Sequence, residues 1–224
     1  MMSPLVIFGI LSHPLRWFKE KTVVVRTWFK GLRQNQIDTE SSVLKKSGIR
    51  FQGTGNRICL QKADLFNTTV FIRGRGHTLI VDENVKVYNM HIKIIGNNNT
   101  VHIGAGTSFG GGQIICGGNG ISITTGKNCV FAEGVDIWST DTQSVTQDGQ
   151  LVNVPKSICI GDHVWAGKDV AILKGVTIGD GAVIGMRSIV TRDLGEKTLN
   201  LGSPARTIRE NIDWSLKNPN NTRG

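Results

Sequence analysis

Imidazole is the side chain best suited to take a proton from a hydroxyl near neutral pH, and the sequence holds five histidines: His13, His77, His91, His102 and His163. Four of them lie in the N-terminal segment or the turn-rich first half and read as structural. His163, in IGDHVW, could serve as a general base, although a histidine at the corner of a repeat is more often a packed or solvated residue than a catalyst. The four cysteines, Cys59, Cys116, Cys129 and Cys159, have no CxxC pairing and no histidine at zinc-ligand spacing. They read as small buried residues of a protein in a reducing compartment, with no metal site. The polar segment WSTDTQSVTQDGQLVNVPKSIC, residues 138–159, holds Asp141 and a turn at Asp148-Gly149. Such a loop on a rigid frame is a place for function.

The frame that must position these groups is a repeat. From Ile160 the chain reads IGDHVW, AGKDVA, ILKGVT, IGDGAV, IGMRSI, with Ile160, Ala166, Ile172, Ile178, Ile184 and Val190 recurring at one position. Val164, Val170, Val176, Ala182 and Ser188 recur at another. A helix of 3.6 residues per turn cannot keep a six-residue period on one side, whereas short strands joined by tight corners can. Three flat faces then close a triangular coil, and successive coils pair as parallel strands. Blocks starting at Cys59, Val81, Ile103 and Thr125 extend a looser version backwards, and Asn97–Asn99 suit a side-chain ladder at a corner. This all-β solenoid is expected over 48–193, with the loop 138–159 protruding from it.

Composition agrees: 28 glycines among 224 residues disfavour a helical bundle. At 39% hydrophobic and 19% charged, the chain is neither disordered by composition nor membrane-filling. The net charge of +9 is concentrated in residues 1–46, which hold eight Lys/Arg and three Asp/Glu. The run Leu5–Leu11 is too short to span a bilayer and lacks the flanks of a signal peptide. Leu15, Phe18, Val25, Phe29 and Leu32 follow at helical spacing, so residues 1–47 read as a basic amphipathic segment. It either lies on an anionic membrane surface or packs on the domain or a partner subunit. No motif for reading nucleic acid follows it. At the other end, residues 194–224 form a cap and tail, with a short helix expected in TIRENIDWSLK after GSPAR (Gly202–Arg206).

The hexads, the block IGDHVWAGKDVAILKGVTIGDGAVIG, the loop before it and the terminal GSPAR resemble the left-handed β-helix, hexapeptide-repeat acyltransferases. Within these the chain is most similar to bacterial O-acetyltransferases of capsule or lipopolysaccharide sugars. The resemblance implies left-handed coiling, acetyl-CoA as acyl donor without a metal, and a homotrimer with its sites between neighbouring solenoids. It also implies a saccharide acceptor and a cytoplasmic protein, peripheral on the inner membrane face if residues 1–46 bind lipid. The family's base is a loop histidine in a Thr-Asp-x-His-like pattern, and here Gln143 stands in its place, after Asp141 and Thr142. A carboxamide hydrogen-bonds a hydroxyl but does not take its proton at neutral pH. By the same resemblance Asp141 orients the base or caps the loop turn, and Trp165 walls the acetyl site. Ala166, Gly167 and Gly185 give room to the pantetheine arm of CoA. Lys168, Lys174, Arg187, Arg192 and Arg206 are candidates for its phosphates. Two other readings stand beside sugar O-acetylation: transfer to a small-molecule acceptor, and a non-catalytic β-helix that binds saccharide or serves as a scaffold.

Overall fold

Stacking sets the architecture. The structure, a computed structural model, describes residues 22–216, and among them there is no helix. The chain winds through three parallel sheets in turn. The first face runs from Val23–Val25 to Leu199–Gly202, the second from Trp28–Lys30 to Ile189–Val190, and the third from Gln36–Glu40 to Thr177–Ile178. On the first face Val43 stands over Val23, Asp64 over Val43, Lys86 over Asp64 and Ser108 over Lys86. The result is the left-handed parallel β-helix, with coils that shorten from 22 residues (Asn97 to Asn119) to 18 (Asp162 to Asp180).

The inward positions are those that the periodicity selects. Ile160, Ala166, Ile172, Ile178, Ile184 and Val190 are all buried, as are Val164, Val170, Val176, Ala182 and Ser188. Each large apolar side chain among them contributes about 1.5–3 kcal/mol over its exposed state. On the first face, Phe109 and Phe131 stack with ring centroids 4.3 Å apart, and Ala166 continues their row. Hexad strands are two or three residues long, while those of the longer coils reach eight. At the end of the long second-face strands, Gly53, Gly74, Gly96 and Gly118 stack in register with positive φ. A Cβ on Gly74 would lie 1.7 Å from the Gly96 carbonyl oxygen, so only glycine fits there.

A buried ladder ties the longer coils together at the corner before the third face. Asn35 Oδ1 accepts from the Asn56 backbone N–H at 3.0 Å, Asn56 Oδ1 from His77 N–H at 3.0 Å, and His77 Nδ1 from Asn99 N–H at 3.1 Å. Asn99 Oδ1 then accepts from Ile121 N–H at 2.9 Å. With Nδ1 accepting, Nε2 carries the proton and donates to the Arg73 carbonyl at 3.1 Å. His77 is thus a neutral rung in a ladder of asparagines, and burial holds its pKa below the ordinary value. Asn97 and Asn119 form an exposed pair nearby, 3.1 Å apart.

Four expectations are corrected. The described part of the N-terminal segment, residues 22–46, is solenoid rather than helix: Val23–Val25, Trp28–Lys30, Gln36–Glu40 and Val43–Lys45 pair with the strands that follow. β-branched runs favour the pleated surface, and three- to four-residue apolar spacing fits short strands with corners as well as a helix. His13, Leu5–Leu11 and the first part of the expected amphipathic segment lie outside the described residues. Among the described residues the expected C-terminal helix is absent too. Ala205–Arg209 instead turns back antiparallel on Leu199–Gly202, after a cis Ser203-Pro204 bond, and covers the open edge of the first face. The 22-residue register on the third face begins at Val81, not Cys59: Leu60, 21 residues earlier, is what pairs with Val81, and Ile103 follows 22 later. Cys159 is exposed and Cys59 half-buried, because both fall on outward positions of the third face.

Candidate functional site

The loop leaves the solenoid after Trp138, at the corner between the second and third faces, and returns at Ile158. Buried Ser139 seats its root, accepting the Gly117 N–H on Oγ at 3.0 Å. Thr142, at φ 62°, then turns the chain outward, its N–H on Thr140 Oγ1 at 3.1 Å. Beyond it Thr146–Gln147 and Gln150–Leu151 form an antiparallel hairpin, closed at Asp148 (φ 51°) and Gly149 (φ 76°).

Asp141 and Asn153 clamp the base of the loop. Asn153 Nδ2 donates to Asp141 Oδ2 at 2.9 Å and to the Gln143 carbonyl at 2.7 Å, and its Oδ1 accepts Val145 N–H at 2.7 Å. Lys174, one coil further on, reaches up to pair with Asp141 and donates to the Asn153 carbonyl at 3.2 Å. This ammonium holds the Asp141 carboxyl below the usual carboxylate range. The Gln143 backbone N–H bonds Asp141 O at 2.7 Å, while its exposed carboxamide has no hydrogen-bond partner among the described residues. The clamp therefore fixes the backbone at 143 and leaves the side chain open to a ligand.

Trp165 opens a first-face strand and is 42% exposed. A full width of the third face, Ile158–Ile160 and the corner after it, separates it from the loop's return. Beside it His163, at φ 54°, is held by the C-terminal segment. Its ring stacks on Trp214 with centroids 4.1 Å apart and planes 6° apart. His163 Nε2 bonds the Trp214 carbonyl at 3.0 Å, and Trp214 Nε1 donates to the His163 carbonyl at 2.7 Å. A base role for His163 is weakened twice over: one nitrogen is engaged and one face of the ring is covered. Trp214 also lies 5.9 Å from Trp165, tilted by 41°.

The candidate CoA residues divide between two corners. Ala166, Gly167, Lys168, Gly185 and Arg187 stack where the first face meets the second, with Arg187 N–H bonded to Lys168 O at 2.9 Å. The Ala166 methyl is buried in the core. A Cβ on Gly167 would meet Met186 N at 2.8 Å, so coil packing alone requires glycine; at Gly185 it would meet only the movable end of Leu201. Lys168 pairs with Glu133 at 2.9 Å, which lowers the Glu133 pKa and raises that of Lys168, and Arg187 lies 3.7 Å from Asp169. Lys174 and exposed Arg192 occupy the loop's corner instead, and exposed Arg206 lies on the terminal strand. Lys174 is thus a loop anchor, which its spacing did not reveal. Asn153 and Trp214 escaped notice as well; the first shows only as one polar loop residue, and the second sat in the expected helix. No cluster of His, Cys, Asp and Glu suited to a metal occurs among the described residues.

The bacterial transferase hexapeptide (six repeats) family matches residues 160–192. Polysialic acid O-acetyltransferase of Neisseria meningitidis is 31% identical over 191 residues, covering 74% of this chain and 88% of the relative. Galactoside O-acetyltransferase of Escherichia coli (strain K12) is 39% identical over 92 residues, 40% of this chain and 44% of the relative. Among solved structures, the polySia specific acetyltransferase NeuO superposes with a TM-score of 0.76 at 27% identity, covering 90% of this chain and 92% of its own. On the strength of the long Neisseria match and the in-phase hexads, the chain belongs to the left-handed β-helix, hexapeptide-repeat acyltransferases.

Proposed function

We propose that this protein is an acetyl-CoA-dependent O-acetyltransferase acting on a hydroxyl of a bacterial surface polysaccharide, of capsule or lipopolysaccharide type, or of its precursor. The observation that carries the reading is the single clamped loop, which presents Gln143 with an unengaged side chain on a frame similar to polysaccharide O-acetyltransferases. Acetyl-CoA supplies an activated thioester when bound. Exposed Arg192 and Arg206 suit its phosphates best, whereas Lys168 and Arg187 are partly neutralised by Glu133 and Asp169 and Lys174 is held by Asp141. Trp165 offers an open aromatic wall at the acyl end. Gln143 can accept a hydrogen bond from the acceptor hydroxyl and orient it, but the proton then has no strong local acceptor.

Loop and Trp165 lie at different corners of one chain, so the reading includes a homotrimer in which the loop of one copy meets Trp165 of the next. Free acetyl-CoA is a cytoplasmic metabolite, which places the reaction there. Gln143 itself favours a second reading, a form that binds donor and acceptor with little turnover. Acetyl transfer to polysialic acid and to neutral oligosaccharides, measured with the chain as it stands and with Gln143→His, separates the two. Saccharide binding without transfer by either form would overturn the first.

A further inference from the structure

The outward positions of the second face carry an uncompensated charge. Its first five strands read WFK, GIRFQGT, TVFIRGR, MHIKIIGN and GQIICGGN, with no aspartate or glutamate. Lys30, Arg50, Arg73, Arg75 and Lys93 project from them, and none has an acidic partner within ion-pair distance among the described residues. The other faces differ: Arg57 meets Asp38 at 2.8 Å and His102 meets Asp82 at 2.9 Å on the third, and Lys86 neighbours Asp64 on the first.

Register makes these cations a track rather than a scatter. Lys30, Arg50, Phe71 and Lys93 occupy one outward column, which continues through Ile115, covered to 5% exposure, to Trp138. Arg73 lies in the next outward column and Arg75 in the one beyond it. At about 4.8 Å per coil, the column spans about 24 Å and ends on the residue from which the loop springs. In the column Arg50 lies 5.7 Å from the Phe71 ring, and beside it Lys30 lies 5.8 Å from the ring of Trp28, on its own strand. Flat rings beside regularly spaced cations suit a carbohydrate chain bearing carboxylates. A bilayer surface would be met by several protruding apolar groups, whereas on these strands only Trp28 is exposed, at 40%, and Phe71 and Ile95 are half-buried within the sheet.

We propose that the second face of the first coils is a binding track for a linear acidic polysaccharide, which it delivers to the loop at Trp138. This deepens the acetyl-transfer reading and rests on it for the loop being the destination. The test measures binding by the full chain, without CoA, of long-chain polysialic acid, a sialic acid trimer and neutral dextran. Two paired variants, Arg50→Gln with Lys93→Gln and Arg73→Gln with Arg75→Gln, are compared, both at outward positions and checked for unchanged circular dichroism. Each pair should weaken long-polymer binding about tenfold, as expected when two or more modest surface charge contacts are lost. Added salt should weaken it further, and dextran and CoA binding should not change. Unchanged polymer binding in both variants overturns the track. So does retained polymer binding with lost binding to phosphatidylserine vesicles, which would make the face a membrane contact. Cation-dependent polymer binding without acetyl transfer by the Gln143→His form supports the track and overturns the transfer reading instead.

Discussion

Proton transfer divides Gln143 from the histidine that the family pattern places there. An amide oxygen can align a hydroxyl at hydrogen-bond distance, yet it does not take the proton that this hydroxyl must lose as it attacks the thioester carbonyl. Gln143→His should raise acetyl transfer by about 10²–10⁴-fold, the usual worth of a positioned general base. Steady-state rates against pH should acquire a rising limb near the imidazole pKa of about 6.5, which the glutamine form lacks. CoA affinity should hardly move, because the residue at 143 serves the acceptor hydroxyl and the thioester rather than the CoA phosphates. His163 serves as the control. Asparagine tolerates the left-handed backbone there, so His163→Asn removes the ring with little added strain. A residual rate that survives this change leaves His163 as a corner residue packed on Trp214. A rate destroyed by it, with no gain from Gln143→His, would mean that the base has been misassigned.

The loop is an element whose order depends on few contacts, and the Asp141–Lys174–Asn153 clamp is the largest of them. Lys174→Met should leave global stability within about 1 kcal/mol, since Asp141 is half-exposed and such pairs are weak. Amide exchange across residues 140–154 should quicken nonetheless. The Asp141 carboxyl titrates lower in the folded chain than in the unfolded one. Its contribution is therefore complete above the unfolded value of about 3.9 and is lost as pH falls through the lower folded value. Proteolysis of the loop should be flat from pH 7 to about 4 and rise only below that; a rise near pH 6 would contradict the clamp. The loop's bounds, its Asp148-Gly149 turn and the hexad core were legible because each rests on local spacing or turn chemistry. The clamp was not, because Asp141, Asn153 and Lys174 meet only once the coils are stacked. The two ends were misread for a related reason: Val25, Phe29 and Leu32 fit a helix locally, and only pairing with the next coil selects strands. Likewise TIRENIDWSLK has helical residues, but the open edge at Leu199–Gly202 captures Ala205–Arg209 first.

Across the whole molecule, buried ladders act over many coils, and so would the contacts of the proposed trimer. His77 stands where Asn35, Asn56 and Asn99 serve the same corner, and Asn99 donates to Ile95 O as His77 does to Arg73 O. His77→Asn should thus be nearly neutral at pH 7. Burial lowers the folded pKa of His77, so the unfolded chain binds the extra proton as pH falls below about 6.5. Melting temperature should decline through that window, and less steeply in His77→Asn; parallel profiles would refute a neutral buried rung. Assembly is tested by mixing chains. The loop and Trp165 occupy different corners, so a trimer that joins them across an interface makes each site from two copies. Chains with Gln143 lack the base, and chains carrying both Gln143→His and Trp165→Ala lack the wall. Each homotrimer should be poorly active alone. Co-refolded at equal amounts, some interfaces receive the introduced imidazole from one chain and Trp165 from the other, and activity should rise well above the sum of the separate preparations. If mixing adds nothing while Gln143→His alone is active, the loop and Trp165 do not meet across subunits.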